Sequence, residues 1–584
     1  GTMMRLQGIA VSPGIAIGKA VVIGQDSFSI PREYVEADAV EQEVARFREA
    51  LQVAAREIEN NRDLVTRELG PKSGAIFQAH LEILEDPKIR EDVESLIRNR
   101  QYSSEKAVSL VLRQFAEMFR RLPNPVIADR AYDVLDIERH LLRALLGQPH
   151  RSLYHLTSPA VVLARNLTPS EVANLDRKMV RGFATELGGP TSHTAIVAQG
   201  MGIPAVVGTG PFLTEVSGGD IVIVDGDRGI VIVRPDESTL REYEEEVRAI
   251  RVFTTELEKL RDLPAETLDG TRINIYGNIE FPHEAALCLQ NGAEGIGLYR
   301  TEFLYLGRND LPSEEDHYQA YCEVVRIMGD RPVTIRTFDL GADKVPLQLG
   351  LEKEANPCLG LRSIRLALRY LPLFQTQLRA ILRASVCGNV QIMFPMISTL
   401  AELRQAKLML AEVMEDLAES RIPFRRDIPL GIMVEVPSVA VTIDRFLDEV
   451  DFISLGTNDL IQYTLAVDRT NRNVVNMYNA TEPAVLRLIH HVIQEASRKG
   501  VPVSLCGQMS SHPLHTMLLI GLGLRKFSVA AHSILEIKKV CRSVTVQQCE
   551  ALAKRALEMD HARDVQALLR EQLIKLIPAF SRIM

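Results

Sequence analysis

The sequence predicts an α/β protein of several domains that ends in a (β/α)8 barrel. The chain has 584 residues, which is too many for a single hydrophobic core. From about residue 265 onward, strand-like runs alternate with helical patterns eight times, as the barrel requires. A third observation is a change in character, because residues 36–147 carry long amphipathic helical runs with few glycines. These residues predict a helical domain set apart from the strands.

The predicted barrel rests on eight strand-like runs. They are Ile273–Ile279, Gly295–Tyr299, Val333–Thr337, Val390–Met396, Gly431–Val436, Phe452–Gly456, Val503–Cys506 and Phe527–Ala530. Polar side chains gather where these runs end, which is where a barrel of this kind places its active site. They are Arg300, Arg336, Glu435, Asn458, Asp459 and Cys506.

The first half of the chain predicts a smaller α/β domain that the helices interrupt. Residues 4–23 and 160–164 are strand-like, and a hairpin is predicted from Ile221 to Val233 across a Gly-Asp-Arg-Gly turn. Strand patterns resume only after the helical run, so we interpret that run as an insertion. The predicted domains are the α/β domain (4–30 and 148–235), the inserted helical domain (31–147), a charged linker helix (236–264) and the barrel (265–584).

Composition and charge exclude several classes of protein. Hydrophobic residues make up 46% and charged residues 24%, as in ordinary globular domains. No window approaches the roughly 18 unbroken apolar residues of a membrane span, so we expect no membrane insertion. A net charge of −9 argues against general nucleic-acid binding. Seven cysteines without a Cys-x-x-Cys pair indicate a reducing, cytoplasmic setting and no structural zinc site.

Residues 186–202 place a histidine at the start of a predicted helix. The turn Gly188-Gly-Pro-Thr-Ser precedes His193, and Thr191 or Ser192 can cap the helix that follows. A helix N-terminus attracts phosphate through its free N–H groups and its dipole. A neutral histidine at this place could accept a phosphoryl group. A histidine that only caps or packs fits the same pattern.

Two carboxylates and several cations follow strands of the predicted barrel. Glu435 and Asp459 would lie close enough to repel each other unless a cation sits between them, and oxygen ligands favour Mg²⁺. Arginine binds phosphate and carboxylate through paired hydrogen bonds, although any one arginine could instead form a surface ion pair. The cations that could form an anion clamp are Arg300, Arg336, Lys344, Arg362 and Arg469.

Cys506 lies at the end of the seventh predicted strand. A cysteine in such a place most often packs as a small apolar residue, but in a charged cleft it could act as an acid–base group. The remaining cysteines lack such surroundings, and we interpret them as structural. They are Cys288, Cys322, Cys358, Cys387, Cys541 and Cys549.

Five long motifs stand in one order along the chain. They are Gly-Gly-Pro-Thr-Ser-His193-Thr-Ala-Ile-Val-Ala, Gly297-Leu-Tyr-Arg300-Thr-Glu-Phe-Leu, Ile392-Met-Phe-Pro-Met-Ile, Gly431-Ile-Met-Val-Glu435-Val-Pro and the stretch from Gly456-Thr-Asn-Asp459 to Arg469. Together they resemble the Enzyme I family, the phosphoenolpyruvate–protein phosphotransferases of the bacterial sugar phosphotransferase system. The resemblance runs from Gly8 nearly to the end of the chain.

The resemblance implies a transferase in which His193 takes the phosphoryl group from phosphoenolpyruvate and passes it to a histidine of the small carrier HPr, while pyruvate is released. It also implies that Glu435 and Asp459 bind Mg²⁺ and that Cys506 protonates the enolpyruvate carbon. The residues implied to hold phosphate and carboxylate are Arg300, Arg336, Lys344, Asn458 and Arg469, with Arg362 as a candidate to complete the clamp. The inserted helices would dock HPr, and the barrels would pair into a homodimer.

Three residues depart from the family pattern and leave partner preference and the tuning of Cys506 open. They are Pro190, Gln199 and Gln508. A dikinase-related enzyme is one alternative, but it would carry an ATP-binding domain that the sequence does not suggest. A nitrogen-type Enzyme I that feeds a regulatory HPr-like carrier is another. A Mg²⁺-dependent barrel lyase is a third, and it leaves the domain of His193 without a purpose.

Two further expectations concern movement and docking. One closed arrangement cannot serve transfer both from a small molecule and to a whole carrier protein, so we place a hinge at residues 236–263. Residues 82–94 hold six acids and two bases, and we predict that they contact the basic rim of the carrier. An ordinary solvated helix face is the alternative for this segment.

Overall fold

The computed structural model describes most of the chain as two compact units, Gly1–Arg248 and Ala249–Met584. The residues outside the description are 24–29, 31, 124–129, 148–157, 169–170, 172–174, 177, 190–191, 306–309, 342–353, 472 and 583–584, together with the side chains of Glu68, Lys72, His193, Ile196 and Arg582. The predictions for Lys344, Pro190 and Thr191 therefore fall outside the described residues.

The described part of the first unit contains a mixed sheet of eight strands. They are β1 (Met4–Gln7), β2 (Ile9–Ser12), β3 (Ile15–Ile23), β4 (Ala160–Ala164), β5 (Val180–Thr185), β6 (Ala205–Val207), β7 (Ile221–Asp225) and β8 (Ile230–Val233). Their order is β1-β8-β7-β3-β4-β5-β6-β2. β3 pairs in parallel with β4 although the helices separate them in sequence. β7 and β8 form the predicted antiparallel hairpin.

Long helices fill the chain between β3 and β4. They are α1 (Val40–Leu69), α2 (Pro71–Leu84), α3 (Pro87–Arg100), α4 (Ser104–Arg120) and α5 (Arg130–Leu146). Proline begins α2 and α3, where its missing N–H costs nothing, and the Ser103 side chain caps α4. The helices bury their apolar faces against one another in a core of their own, around Phe47, Val93 and Leu112. The predicted helical domain is thus present.

Two more helices complete the elements before the barrel. α6 (His193–Met201) follows β5, and α7 (Glu237–Glu258) is the predicted charged helix. Within the first unit, the hydroxyl of Tyr243 on α7 donates to Asp225 at 2.9 Å. Farther along α7, Phe253 contacts Phe580 within the second unit, with 5.1 Å between ring centroids.

In the described part of the second unit, parallel strands close into an eight-stranded barrel. They are β9 (Asn274–Ile279), β10 (Ile296–Tyr299), β11 (Val333–Arg336), β12 (Val390–Phe394), β13 (Leu430–Val434), β14 (Phe452–Leu455), β15 (Val503–Leu505) and β16 (Lys526–Ala530). β16 pairs with β9 and closes the ring. All eight predicted strands are confirmed, with ends that shift by at most two residues.

Helices surround the barrel and cover its apolar strands. They are α8 (Glu284–Gln290), α9 (Glu314–Met328), α10 (Ile364–Arg369), α11 (Leu371–Ala384), α12 (Leu400–Glu419), α13 (Pro437–Val441), α14 (Ile443–Phe446), α15 (Thr457–Leu465), α16 (Pro483–Lys499), α17 (Gln508–Ser511), α18 (Thr516–Gly521), α19 (Ile534–Ser543), α20 (Val546–Leu557) and α21 (Ala562–Leu576). Phe374 on α11 packs against Phe394 at the end of β12 inside this core. Among the described helices, none has both the length and the apolar character that a membrane crossing requires.

Candidate active site

A charged cavity of about 320 Å³ lies at the ends of the barrel strands. It lies at the carboxyl ends of parallel strands, which is the face that carries the active site in barrels of this type. The polar residues that line it are Glu280, Arg300, Glu302, Arg336, Asp339, Arg362, Asn458, Glu435, Asp459, Arg469 and Cys506. All the predicted barrel residues that the structure describes therefore meet in one place.

Arg336, the last residue of β11, is the most enclosed arginine of the cavity and is only 7% exposed. Its guanidinium contacts the Glu302 carboxylate and lies 3.7 Å from Asp339 Oδ2. Burial alone would lower the pKa of Arg336, but the charges of Glu302 and Asp339 raise it. Arg336 therefore keeps a permanent positive charge in the cavity, held in a fixed direction by two carboxylates.

Arg362 is held by a second set of contacts. Its Nη2 donates to both oxygens of Asp339, at 2.9 and 3.0 Å. Its Nη1 lies 3.4 Å from Asp459 Oδ1 and donates to the Tyr463 hydroxyl at 3.0 Å. Burial alone would raise the pKa of Asp339, but Arg336 and Arg362 lower it, so Asp339 is ionised. Asp339 thus orients both arginines.

Glu435 follows β13 directly and is 1% exposed. Its Oε1 accepts the backbone N–H of Met396 at 2.6 Å. Met396 has a φ of 55°, a left-handed conformation that a methionine adopts only under constraint from its surroundings. Burial raises the pKa of Glu435 well above its usual value, and the neighbouring charges of Asp459 and Asp339 add to this effect. A cation beside Glu435 would offset this cost.

Three carboxylates of the cavity could hold a metal ion together. Single oxygens of Asp339, Glu435 and Asp459 all lie within 4.8 Å of one another. Two of these three are the predicted ligands, and their oxygens suit a hard divalent cation such as Mg²⁺. Both oxygens of Asp339 already accept hydrogen bonds from Arg362, so Glu435 and Asp459 are the better candidates. The residues therefore fit the metal that the sequence suggested.

Cys506 follows β15 and is 1% exposed. Its Sγ lies 3.7 Å from the carbonyl oxygen of Leu455, and its carbonyl accepts a hydrogen bond from the Asn278 side chain at 2.9 Å. Burial raises the pKa of the Cys506 thiol, and the charge of Glu435 acts in the same direction. A buried thiol that keeps its proton and lines an anion-binding cavity can serve as a proton donor.

The other predicted residues lie around the rim. Arg300 follows β10 and lies 4.0 Å from Glu280, and its side chain is about one-third exposed at 31%. Asn458 accepts the Gln508 backbone N–H on its Oδ1 at 3.0 Å. Arg469 is exposed, and its backbone N–H donates to Gln462 at 3.1 Å. These looser side chains line the cavity without the buried ion pairs that hold Arg336 and Arg362.

Two important residues of the cavity are missing from the sequence-based prediction. Glu302 stands two residues after Arg300, and Asp339 stands three residues after Arg336. Both follow strands that the sequence already places at the active face, and this position was the available indication. The prediction used carboxylates only as metal ligands and cations only as an anion clamp, so it gave no role to a carboxylate that orients a cation. In the fold they orient those cations.

In the first unit, the predicted helix that begins at His193 is confirmed, whereas the predicted turn before it includes residues 190–191, which lie outside the described residues. α6 begins at His193, and the side chain of Ser192 accepts the N–H of Ala195 at 3.4 Å, so Ser192 is the cap. Gly202 ends α6 with a φ of +67°, which favours glycine. Gln199, one of the departures from the family pattern, donates to the carbonyl of Val11 at 2.8 Å. His193 therefore occupies the first position of a capped helix.

Comparison with known proteins defines the class of protein. Residues 254–546 match the PEP-binding domain of PEP-utilising enzymes, residues 7–130 match their N-terminal domain, and residues 156–229 match their mobile domain. The cavity lies in the first of these regions and His193 in the last. The fold and the comparison therefore define a PEP-utilising enzyme.

Relatives narrow this class to a family. The phosphoenolpyruvate-protein phosphotransferase of Priestia megaterium is 42% identical over 96% of this chain and 98% of its own length. The phosphoenolpyruvate-protein phosphotransferase of Staphylococcus carnosus (strain TM300) is 41% identical over 97% of this chain and 99% of its own length. A solution structure of Enzyme I (nEIt) is 42% identical, covers 42% of this chain and 99% of its own, and has a TM-score of 0.36. The chain belongs to the phosphoenolpyruvate-protein phosphotransferase family.

Proposed function

We propose that this protein transfers the phosphoryl group of phosphoenolpyruvate to His193 and from there to a histidine of an HPr-type carrier, with release of pyruvate. The observation that supports this most directly is the meeting of arginines, carboxylates and a protonated thiol in one cavity of the PEP-binding region. The relatives that share nearly the whole chain carry this activity in their name. We assign this reaction to the first step of a sugar phosphotransferase system.

We assign substrate binding to the cations of the cavity. Arg336 and Arg362 are fixed by buried carboxylates, so their side chains lose little conformational entropy when they bind a phosphate or carboxylate. Arg300, Arg469 and Asn458 lie at the rim and would close the contacts around the bound molecule. Lys344 belongs to the same proposal from sequence alone. Fixed positive charges of this kind stabilise the charge that spreads over a phosphoryl group in transfer.

Glu435 and Asp459 are the proposed ligands of Mg²⁺. When bound, the ion would neutralise charge on the oxygens of the phosphate. Asp339 contributes by holding Arg336 and Arg362 beside these two carboxylates. This arrangement keeps cations and anions alternating across the cavity, which lowers the cost of burying so many charges.

His193 and Cys506 carry the proposed chemistry. A ring nitrogen of His193 attacks the phosphorus, and the bond from phosphorus to the enol oxygen breaks. The electron pair of that bond forms the carbonyl of pyruvate, while the carbon of the enol double bond takes the proton of the Cys506 thiol. Burial keeps that proton on sulfur until then, because it raises the pKa of Cys506.

The partner and assembly proposals rest on surfaces outside the cavity. Glu82 and Glu85 are both exposed at the end of α2, and we assign this segment to docking of the basic carrier. We also propose that the barrels pair into a homodimer. We place the protein in the cytoplasm and its hinge in residues 236–263.

The direct test is labelling by radiolabelled phosphoenolpyruvate in the presence of Mg²⁺. His193→Ala should abolish labelling, because the proposed nucleophile is gone, while circular dichroism shows an unchanged fold. The label on the wild-type protein should be lost in acid, as expected of a phosphohistidine. Label that survives acid, or label on His193→Ala, would contradict the proposal.

A further inference from the structure

Two cysteines far apart in sequence meet on the outer layer of the barrel. The sulfur atoms of Cys322 and Cys387 lie 3.0 Å apart, although 65 positions separate the two residues in the chain. Cys322 is on α9, and Cys387 follows the end of α11. Cys322 is buried, whereas Cys387 is partly exposed. The fold therefore brings together two thiols that we interpreted from the sequence only as structural residues.

The neighbouring contacts hold α9 and α11 in this position. Arg383 on α11 forms ion pairs with Glu314 at 2.8 Å and Glu315 at 3.2 Å, both in the first turn of α9. The Arg383 guanidinium also stacks 4.1 Å from the ring centre of Tyr318, whose hydroxyl lies 3.9 Å from the sulfur of Cys387. On the buried side, Gln377 donates to the Tyr321 hydroxyl at 3.0 Å. The close approach of the sulfurs is thus supported by the packing on both sides.

We propose that Cys322 and Cys387 are an oxidative modification site that closes into a reversible disulfide when the protein meets hydrogen peroxide. Cys387 is the accessible thiol, so its sulfur attacks the peroxide oxygen, the O–O bond breaks, and a sulfenic acid and one water form. The sulfur of Cys322 then attacks the sulfenic sulfur and displaces hydroxide, which leaves with the Cys322 proton as a second water. Two thiols are oxidised and one peroxide is reduced to two waters.

The burial of Cys322 fits its role as the thiol that attacks the sulfenic acid. Burial raises the pKa of Cys322 to about 11, and the neighbouring Cys387 sulfur adds to this shift. A thiol that remains protonated reacts slowly with peroxide, so Cys322 reacts only after a sulfenic acid has formed on Cys387 beside it. In a reducing compartment such a bond forms only transiently, in agreement with the reducing setting expected from the sequence.

The disulfide would join α9 to the segment after α11, and α11 supports the lining of the cavity. Gln377 on α11 donates to the Thr301 hydroxyl at 2.8 Å, and that hydroxyl donates to the carbonyl of Arg336 at 2.9 Å. A cross-link between α9 and the end of α11 restricts the unfolded chain and stabilises this layer. This inference is independent of the proposed reaction, because it concerns only the thiols and the stability of the barrel.

The test counts thiols in the full-length protein. The reduced protein is treated with hydrogen peroxide, denatured and titrated, and its free thiols should fall from seven to five. Peptide mapping should find Cys322 joined to Cys387, and dithiothreitol should restore all seven thiols. The oxidised protein should melt roughly 5 °C higher than the reduced one.

Single variants supply the controls. Cys322→Ser and Cys387→Ser should form no intramolecular disulfide, whereas Cys358→Ser, which removes a partly exposed thiol outside the pair, should form it as the wild type does. If a pair variant does not fold, dibromobimane on the wild-type protein replaces it, since this reagent bridges neighbouring thiols and should link the same two peptides. An unchanged thiol count, a disulfide mapped elsewhere, or oxidation of Cys387 alone beyond the sulfenic acid would overturn the proposal.

Discussion

The barrel cavity and the start of α6 differ in the source of their positive potential, which is charged side chains in the cavity and backbone N–H groups at the helix start. In the cavity, Arg336 and Arg362 are locked by Glu302 and Asp339, so the positive field exists before any ligand enters. At the start of α6, the chain offers a hydroxyl cap from Ser192 and the backbone N–H groups of a helix N-terminus. The first region is built to recognise one small anion. The second is the helix start at which we propose that His193 accepts the phosphoryl group.

Under the proposed function, this difference would let His193 accept the phosphoryl group from a small donor and pass it to a carrier protein. Recognition of phosphoenolpyruvate belongs to the barrel, where fixed side chains discriminate. We assign recognition of the carrier to the inserted helices, so the surroundings of His193 need not discriminate between the small donor and the carrier. Changes in the cavity should therefore affect only the reaction with phosphoenolpyruvate, and changes in the helices should affect only the exchange with the carrier.

Replacement of Arg336 by lysine should produce the largest effect. Arg336→Lys keeps the buried positive charge that Glu302 and Asp339 require, but a lysine lacks the planar fork that binds an oxyanion through two hydrogen bonds. We expect labelling by phosphoenolpyruvate to slow by about a hundredfold or more. Exchange of label with the phosphorylated carrier should keep its wild-type rate, and slowing of both reactions would show that the two regions are not separable in this way.

Cys506→Ser should have a somewhat smaller effect, confined to the same half-reaction. Serine fills the site but is a much weaker acid, so protonation of the enolate should slow by about a hundredfold. Rapid-quench measurement of pyruvate formation checks this, with carrier exchange measured alongside. Cys541→Ser is the matched control, since Cys541 is equally buried but lies outside the cavity lining. Equal loss in both half-reactions would mean that Cys506 only packs.

Charge reversal at the docking segment should have the smallest effect. Glu82→Lys with Glu85→Lys should raise the carrier concentration needed for half-maximal exchange by about tenfold, because exposed charges steer association. Labelling by phosphoenolpyruvate should not change. Glu412→Lys, an exposed charge change on α12 of the barrel, is the control. Wild-type exchange kinetics in the double variant would assign Glu82 and Glu85 to an ordinary solvated helix face.

The sequence predicted regular elements well because their patterns are local. Each barrel strand is a short apolar run, and the cap of α6 needs only a serine before a helix-forming stretch. The positions of Arg336 and Glu435 followed from strand ends. These features depend on neighbours in the chain, which a single sequence contains.

The sequence could not predict which side chains contact one another across the fold. Glu302 contacts Arg336, which lies 34 residues later in the chain, and Asp339 contacts Arg362, which lies 23 residues later. The same holds for Cys322 on α9 and Cys387 in the segment after α11. In each case the chemistry depends on a distance between side chains that no periodicity or motif in this chain encodes.

The most direct test of the division between the two regions uses residues 1–264 alone, with circular dichroism to establish that the fragment is folded. The fragment contains His193 and the inserted helices but lacks every residue of the cavity. It should accept label from the phosphorylated carrier at a rate close to that of the whole protein, and should gain none from phosphoenolpyruvate with Mg²⁺. Direct labelling of the fragment by phosphoenolpyruvate, or failure of the folded fragment to exchange with the carrier, would contradict the account.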